Sequence, residues 1–329
     1  MKKVLKLENQ PIATYNSISF VQSIILAHSN LKNELYNSYI NLICRYSDDL
    51  KSVGMTFLDV AWEDFRLRGL VNMELYSVSY IRGGNIASFI KERIDHDYYV
   101  LLYKIDEFYL PYSEFYQKGH YMHDTYIYGY ENDDFLVMAF TKNNKLERVS
   151  VKQKEIEAGL YSAWLQDQGL GFCSLQVNNF IRKRLNIKQI GDSLYNYLNG
   201  KDNKGNNSSD FTAYGLQVYD LIKSFLNNYI ILDNKVGLDI RVFRTLWEHK
   251  KLMKLRIEKI GEVYDIDNQY HIEAEELERK AQALFFALIK YYKTYDIDII
   301  KRAVLILDDI KEKEKVIIEG IIHIIKQSY

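Results

Sequence analysis

The sequence predicts an α+β protein in two parts, a sheet-bearing segment over residues 1–151 and an α-helical segment over 152–329. Three observations carry this. Between Tyr98 and Phe140 three β-rich runs are separated by polar turns. Beyond residue 152 apolar residues recur at spacings of three and four with charges between them. A chain of 329 residues is also long enough for two domains.

Val4 to Leu7 alternates weakly and Pro11 closes it. Asn16 to His28 carries Ile18, Val21, Ile24 and Ile25 at helical spacing, with Asn16 or Ser17 as its cap. Residues 33–46 and 48–54 read as helical or irregular, and 56–62 as a strand or a short helix. Leu75 to Ile81 alternates as a strand does, and the turn Arg82-Gly83-Gly84-Asn85 leads into a helix over Ile86 to Ile94. Tyr98 to Ile105, Thr125 to Tyr128 and Phe135 to Phe140 are strands, the last two joined through Gly129 and Glu131-Asn132-Asp133-Asp134. A hairpin at residues 142–145 leads into Leu146 to Val151. Helices are then expected over 152–164, 179–198, 214–228, 236–260, 272–295 and 297–327, packed as a bundle through triplets such as Ile318, Ile321 and Ile325. Lys201 to Asp210 is polar and of low complexity, and reads as a mobile loop.

Composition removes several function classes. The 43 basic and 44 acidic residues leave a formal charge of −1, which lacks the long-range field of a nucleic-acid binder. Cys44 and Cys173 have no paired spacing, so neither a disulfide framework nor a structural zinc site is expected, and both thiols should be unbonded and dispensable. No apolar run is long enough to span a bilayer and the first residues do not form a secretory leader. These point to a cytoplasmic protein that binds no membrane.

Chemistry is expected where His120 and His123 enter the second strand, because a strand fixes an imidazole better than a loop does. Papain-like and transglutaminase-like folds place a general base in this way. A metal held by both histidines with Asp124 or Asp106 is the alternative at the same place. At the start of the first helix, free N–H groups and the dipole would favour a nucleophile or an oxyanion. Ser17 there is either a nucleophile or a first-turn capping residue.

The run Ile105-Asp106-Glu107-Phe108-Tyr109-Leu110-Pro111-Tyr112, followed by His120, His123, Tyr126-Ile127-Tyr128-Gly129-Tyr130 and Ala139-Phe140-Thr141, resembles the butirosin biosynthesis protein H type of acyltransferase. Leu238-Asp239-Ile240-Arg241 and Glu248-His249-Lys250-Lys251-Leu252-Met253 are similar to the helical half of such proteins, which are encoded beside bacterial nonribosomal peptide synthetases. The resemblance implies a papain-like N-terminal domain and amide formation between an amine and the thioester of an acyl or peptidyl carrier protein. No cofactor is implied beyond the partner's phosphopantetheine, and association as a homodimer stays open. His123 would be the general base, with Ser17 as nucleophile or Asn16 as oxyanion donor. The chain departs from the pattern in having no cysteine at the helix start and Ala139 where relatives carry the triad aspartate, for which Asp106 could substitute. If no nucleophile exists, His123 could deprotonate the amine directly, a thioester being already activated. The departures also admit a pseudoenzyme that binds a carrier protein or synthetase as a scaffold. Arg241, Arg244, Lys250, Lys251, Lys254 and Arg256 could meet the acidic surface of an acyl carrier protein or the phosphate of its pantetheine arm, unless they form an ordinary solvated helix face.

Overall fold

A computed structural model describes residues 1–47, 51–58, 69–77, 85–166, 171–231 and 238–327. The chain is mixed α and β, with a main sheet and a C-terminal helical region. It divides into two compact units, Met1–Lys32 with Ala61–Lys183, and Asn33–Val60 with Arg184–Tyr329. The division falls elsewhere than after residue 151, because late strands complete early sheets.

In the first unit the sheet runs β4 (Val71–Ser77), β9 (Gly171–Val177), β5 (Tyr99–Asp106), β6 (Met122–Glu131), β7 (Asp134–Phe140) and β8 (Leu146–Lys152), every neighbour antiparallel. β1 (Lys2–Val4) pairs with the far half of β6, beyond the part that β5 covers. β9 corrects the expectation that the sheet lies wholly before residue 152, with almost only helices beyond it. Cys173, Leu175 and Val177 alternate with Phe172, Ser174 and Gln176 at the strand period, and the run fills the place between β4 and β5.

Helix α1 (Asn16–Ala27) lies on one face of this sheet, Phe20 meeting Tyr99 at 5.8 Å and Tyr126 at 4.7 Å between ring centroids. Its cap is Tyr15, with no side-chain hydrogen bond, so neither Asn16 nor Ser17 caps it. Helix α3 (Ile86–Asp95) covers the other face, where Phe89 packs on Tyr76 and Phe172. Asn85 caps α3 through Ser88 N–H, while residues 82–84 of the expected glycine turn lie outside the described residues. Helix α4 (Gln153–Gln166) packs against the end of β5; there Gly159 is needed, since a Cβ would stand 2.8 Å from Ile105 Cγ1 and 3.0 Å from the Asp106 carbonyl.

In the second unit β2 (Leu42–Tyr46), β3 (Val53–Phe57) and β10 (Thr212–Tyr214) form a small antiparallel sheet in the order β10-β2-β3. Residues 42–46 and 53–54 had read as helical or irregular. The run Leu42-Ile43-Cys44 is buried throughout, and such an apolar run carries no period to separate strand from helix. The short helix α2 (Glu34–Asn37) precedes β2. Helices α5 (Ile187–Leu198), α6 (Val218–Ile231), α7 (Arg241–Gly261), α8 (Asn268–Thr294) and α9 (Ile297–Gln327) make the bundle. Leu284, Leu288, Tyr291, Ile300, Leu307, Ile318, Ile321 and Ile325 are buried as their spacing requires. The polar loop after α5 folds on itself: Asp202 accepts the N–H groups of Lys204 and Asn206, and Lys201 bridges to Asn207. Cys44 and Cys173 are buried and form no disulfide, and burial raises the Cys44 thiol to about 12. No helix among the described residues is long and apolar enough to cross a membrane.

Candidate functional site

The site is built where β5 ends. A bulge at Tyr103 and Lys104 breaks the register with β6; Lys104 takes a positive φ of 52° and donates its N–H to Asp124 Oδ1 at 3.3 Å. After it Ile105 pairs with His123 and Asp106 with Met122. Asp106 then caps a 3-10 turn, Glu107–Tyr109, accepting Phe108 N–H at 3.1 Å. Glu107 N–H reaches back to the Tyr121 carbonyl at 2.9 Å and closes the intervening loop.

This turn aims two adjacent carboxylates at two histidines. Asp106 Oδ2 lies 2.7 Å from His120 Nδ1, and Glu107 Oε1 lies 2.9 Å from His123 Nδ1. Each carboxylate also accepts a serine hydroxyl, Asp106 from Ser162 on α4 at 2.6 Å and Glu107 from Ser113. Asp106 and Glu107 are buried, whereas the side chains of His120 and His123 are 54% and 33% exposed. A carboxylate on Nδ1 puts the ring proton there and leaves Nε2 as the basic nitrogen. Neither Nε2 makes a hydrogen bond among the described residues. Phe108 stacks on His120 at 4.7 Å, and Tyr121 lies 5.7 Å from His123 and stacks on Phe115.

The electrostatics follow from these contacts. The Glu107 hydrogen bond raises the His123 pKa; burial opposes it, and the Glu107 and Asp124 charges assist. Burial works against the Asp106 carboxylate, yet hydrogen bonds from Ser162, His120 and Phe108 N–H hold its pKa below the usual range.

The predicted residues do not assemble as expected. His123 is oriented by Glu107, and Asp106 serves His120 instead; Asp106 is opposite Met122 in the register, not opposite His123. Ala139, where an aspartate was expected, is buried on β7 opposite Glu147. Ser17 borders the Tyr126 hydroxyl closely enough to perturb it, without closing a hydrogen bond of normal geometry. Tyr126 faces α1, while Thr125 accepts or donates to the Tyr112 hydroxyl at 2.9 Å on the opposite face. His123 shares Thr125's side by strand alternation, so His123 and the start of α1 stand on opposite faces of β6. Asn16 is buried beside Ser17, and neither of its amide atoms has a hydrogen-bond partner among the described residues. The proposed proton exchange between His123 and Ser17 is therefore not built into this fold.

Among the described residues no group of three or more His, Cys, Asp or Glu gathers to hold a metal, and Asp124 turns to Lys104. From the sequence Glu107 reads as an ordinary strand-end charge, and nothing singles out Ser113 or Ser162. The available signal was the repeated pattern itself, two adjacent acids followed by two histidines three residues apart.

Five of the six basic residues named on α7 are engaged within the fold, and Lys251 makes no ion pair among the described residues. Lys250 is buried and paired with Glu314 of α9, which also accepts the hydroxyls of Tyr197 at 3.1 Å and Tyr219 at 2.7 Å. His249, equally buried, has Nε2 2.7 Å from the Ile40 carbonyl and Nδ1 3.0 Å from Lys250 Nζ. Burial, then the Lys250 charge, holds its pKa well below the histidine range. Arg256 donates to the carbonyls of Tyr36 at 2.9 Å and Ser38 at 2.7 Å, and burial lowers its pKa to about 9. Lys254 pairs with Glu278, Arg244 with Glu248 and Arg241 with Asp239. A solvated charge run is likewise overturned for His249, Lys250 and Arg256, since the bundle encloses them.

No protein-family model matches the chain, and no curated protein sequence is similar to it.

Proposed function

We propose that this protein transfers an acyl group from a carrier-protein thioester to an amine, using the two carboxylate-held histidines in place of a covalent nucleophile. The observation that carries the reading is the pair of imidazoles, each bound at Nδ1 by a buried carboxylate with Nε2 left for a substrate. His123, oriented by Glu107, takes the proton from the attacking amine as its nitrogen bonds to the thioester carbonyl carbon. The tetrahedral adduct then expels the pantetheine sulfur, and the proton taken up at His123 Nε2 passes to that thiolate and restores the neutral base, while His120, held by Asp106, offers its Nε2 as a second acceptor for the substrate. Bond making and breaking balance without an oxidant or an acyl-enzyme, because the thioester is already activated.

The finer fold reading enters here as well. An N-terminal helix lying on an antiparallel sheet that carries a histidine strand supports a papain-like ancestry for the first unit. The opposite facing of His123 and α1 argues that papain-type nucleophilic chemistry is not retained. A cytoplasmic setting and an acyl or peptidyl carrier protein as partner belong to the same proposal. The second reading, a pseudoenzyme scaffold for a carrier protein or synthetase, is favoured by the separation of Ser17 and Asn16 from the histidines. Internal pairing of the α7 cations weighs against docking an acidic partner there.

The test is to incubate the protein with acyl-loaded carrier proteins and a panel of amines and to follow amide by mass spectrometry. Turnover that is lost in His123→Ala, reduced in His120→Ala and retained in Ser17→Ala supports base-assisted aminolysis. Turnover lost in Ser17→Ala would restore a covalent intermediate, and carrier binding without turnover would leave the scaffold.

A further inference from the structure

At the other end of β5, roughly 23 Å from Asp106 at about 3.3 Å per strand residue, the first unit holds a cleft of about 580 Å³. Its walls come from β1 and the residues after it, the end of α1, the start of β5 and the end of β9. That volume lies within the range of small-molecule sites. The lining is of two kinds. Val4, Ala27 and Val177, with the ring of Tyr99, supply an apolar wall. Lys3, Lys6 and His28 supply positive or protonatable groups.

The charge balance decides what such a cleft can hold. Asp97 is the one carboxylate among the lining residues, and Lys3 Nζ occupies it at 2.7 Å. Lys6 makes no ion pair among the described residues, and its charge helps keep half-buried His28 from protonating. Lys6 is also fixed at the backbone, its carbonyl accepting the Tyr99 hydroxyl at 2.6 Å, while His28 Nε2 lies 3.5 Å from that hydroxyl. An uncompensated ammonium beside an imidazole, above an apolar wall, is complementary to an anion with a hydrocarbon body.

We infer that this cleft binds a small organic anion, a carboxylate or phosphate head on an apolar chain, with the head between Lys6 and His28. The site is separate from the histidine–carboxylate pairs and does not depend on the acyl-transfer reading.

The experiment is a titration of the full-length protein with hexanoate, hexyl phosphate, inorganic phosphate and hexanol, followed through the His28 proton resonances, which His28→Gln assigns. A bound anion beside His28 stabilises its protonated form, so hexanoate or hexyl phosphate should saturate and move the His28 midpoint upward. The tighter of the two identifies the head group. Lys6→Ala should weaken that binding about tenfold, the loss of one charge-assisted contact, and Lys6→Arg should retain it. Lys6 is exposed, and a melting curve checks that each variant folds. Binding of hexanol as tight as that of hexanoate would overturn the inference, since charge would not be read. So would inorganic phosphate binding as tightly as hexyl phosphate, unchanged affinity in Lys6→Ala, or no saturable change at His28.

Discussion

Replacing Lys250 by Met tests what the buried ion pair of the second unit contributes. Lys250 and Glu314 are 1% and 2% exposed, so removing the cation leaves a carboxylate enclosed by helices. Breaking such a pair costs about 3–5 kcal/mol, because the remaining charge can be neither hydrated nor paired. The hydroxyls of Tyr197 and Tyr219 still donate to Glu314, which places Lys250→Met toward the lower end, near 3 kcal/mol. Glu314→Leu strands the ammonium with only His249 Nδ1 and the Tyr197 oxygen as acceptors among the described residues and should cost about as much. The double variant Lys250→Met/Glu314→Leu removes both charges and leaves neutral groups short of partners, at about 1 kcal/mol each. It should therefore be no worse than either single variant, a coupling of about 3 kcal/mol or more. Urea unfolding followed by far-ultraviolet circular dichroism measures all three, the helical unit dominating the signal. Single variants costing less than about 1 kcal/mol, or a double variant costing their sum, would refute the reasoning.

Glu107→Gln removes the main cause of the raised His123 pKa, so the His123 midpoint should move to lower pH by NMR, and the acid limb of any turnover profile with it. An unmoved midpoint would separate Glu107 from His123. Gly159→Ala sets about 1 kcal/mol of helix propensity against a Cβ only 2.8 Å from Ile105; overpacking should win, with a net loss of about 1–2 kcal/mol in urea unfolding. His249 is held neutral when folded but takes a proton near pH 6.5 when unfolded. Its contribution is thus present above that pH and declines as pH falls, by up to about 1.4 kcal/mol per unit. His123 contributes with the opposite sign, its raised pKa favouring the fold at low pH and losing that effect as pH rises through the folded value. The His249 slope is therefore read as the difference between wild type and His249→Gln.

Elements with a clean period were legible in the sequence, and those whose identity rests on a distant partner were not. Ile297 to Gln327 is one helix with the expected bounds, because its apolar stripe persists for eight turns. Leu42-Ile43-Cys44 is a strand because Thr212–Tyr214 and Val53–Phe57 flank it, and no local period announces that. At the site, the histidines were visible as residues, but which carboxylate each would meet depended on the one-residue offset made by the Tyr103–Lys104 bulge. That offset sends Glu107 to His123 and Asp106 to His120. On α7 the charges looked solvated because Glu314 lies 64 residues from Lys250 and the carbonyls that receive Arg256 lie 217 residues or more away.

Arg256 carries a consequence for how this chain can be cut. The peptide carbonyls that accept from its guanidinium belong to Tyr36, Ser38 and Tyr39, and the carbonyl that His249 meets belongs to Ile40. A fragment beginning at Arg184 would keep the whole helical bundle yet strand a guanidinium and an imidazole in its interior without those backbone acceptors, the guanidinium keeping only the Met253 sulfur among the described residues. Gene truncation or fusion at a single junction thus yields a bundle that rejects its own core, whereas a graft that also carries residues 33–60 supplies the missing acceptors. The helical unit of this fold is split in sequence, and its two pieces are bound together by backbone oxygens, atoms that no side-chain substitution can remove.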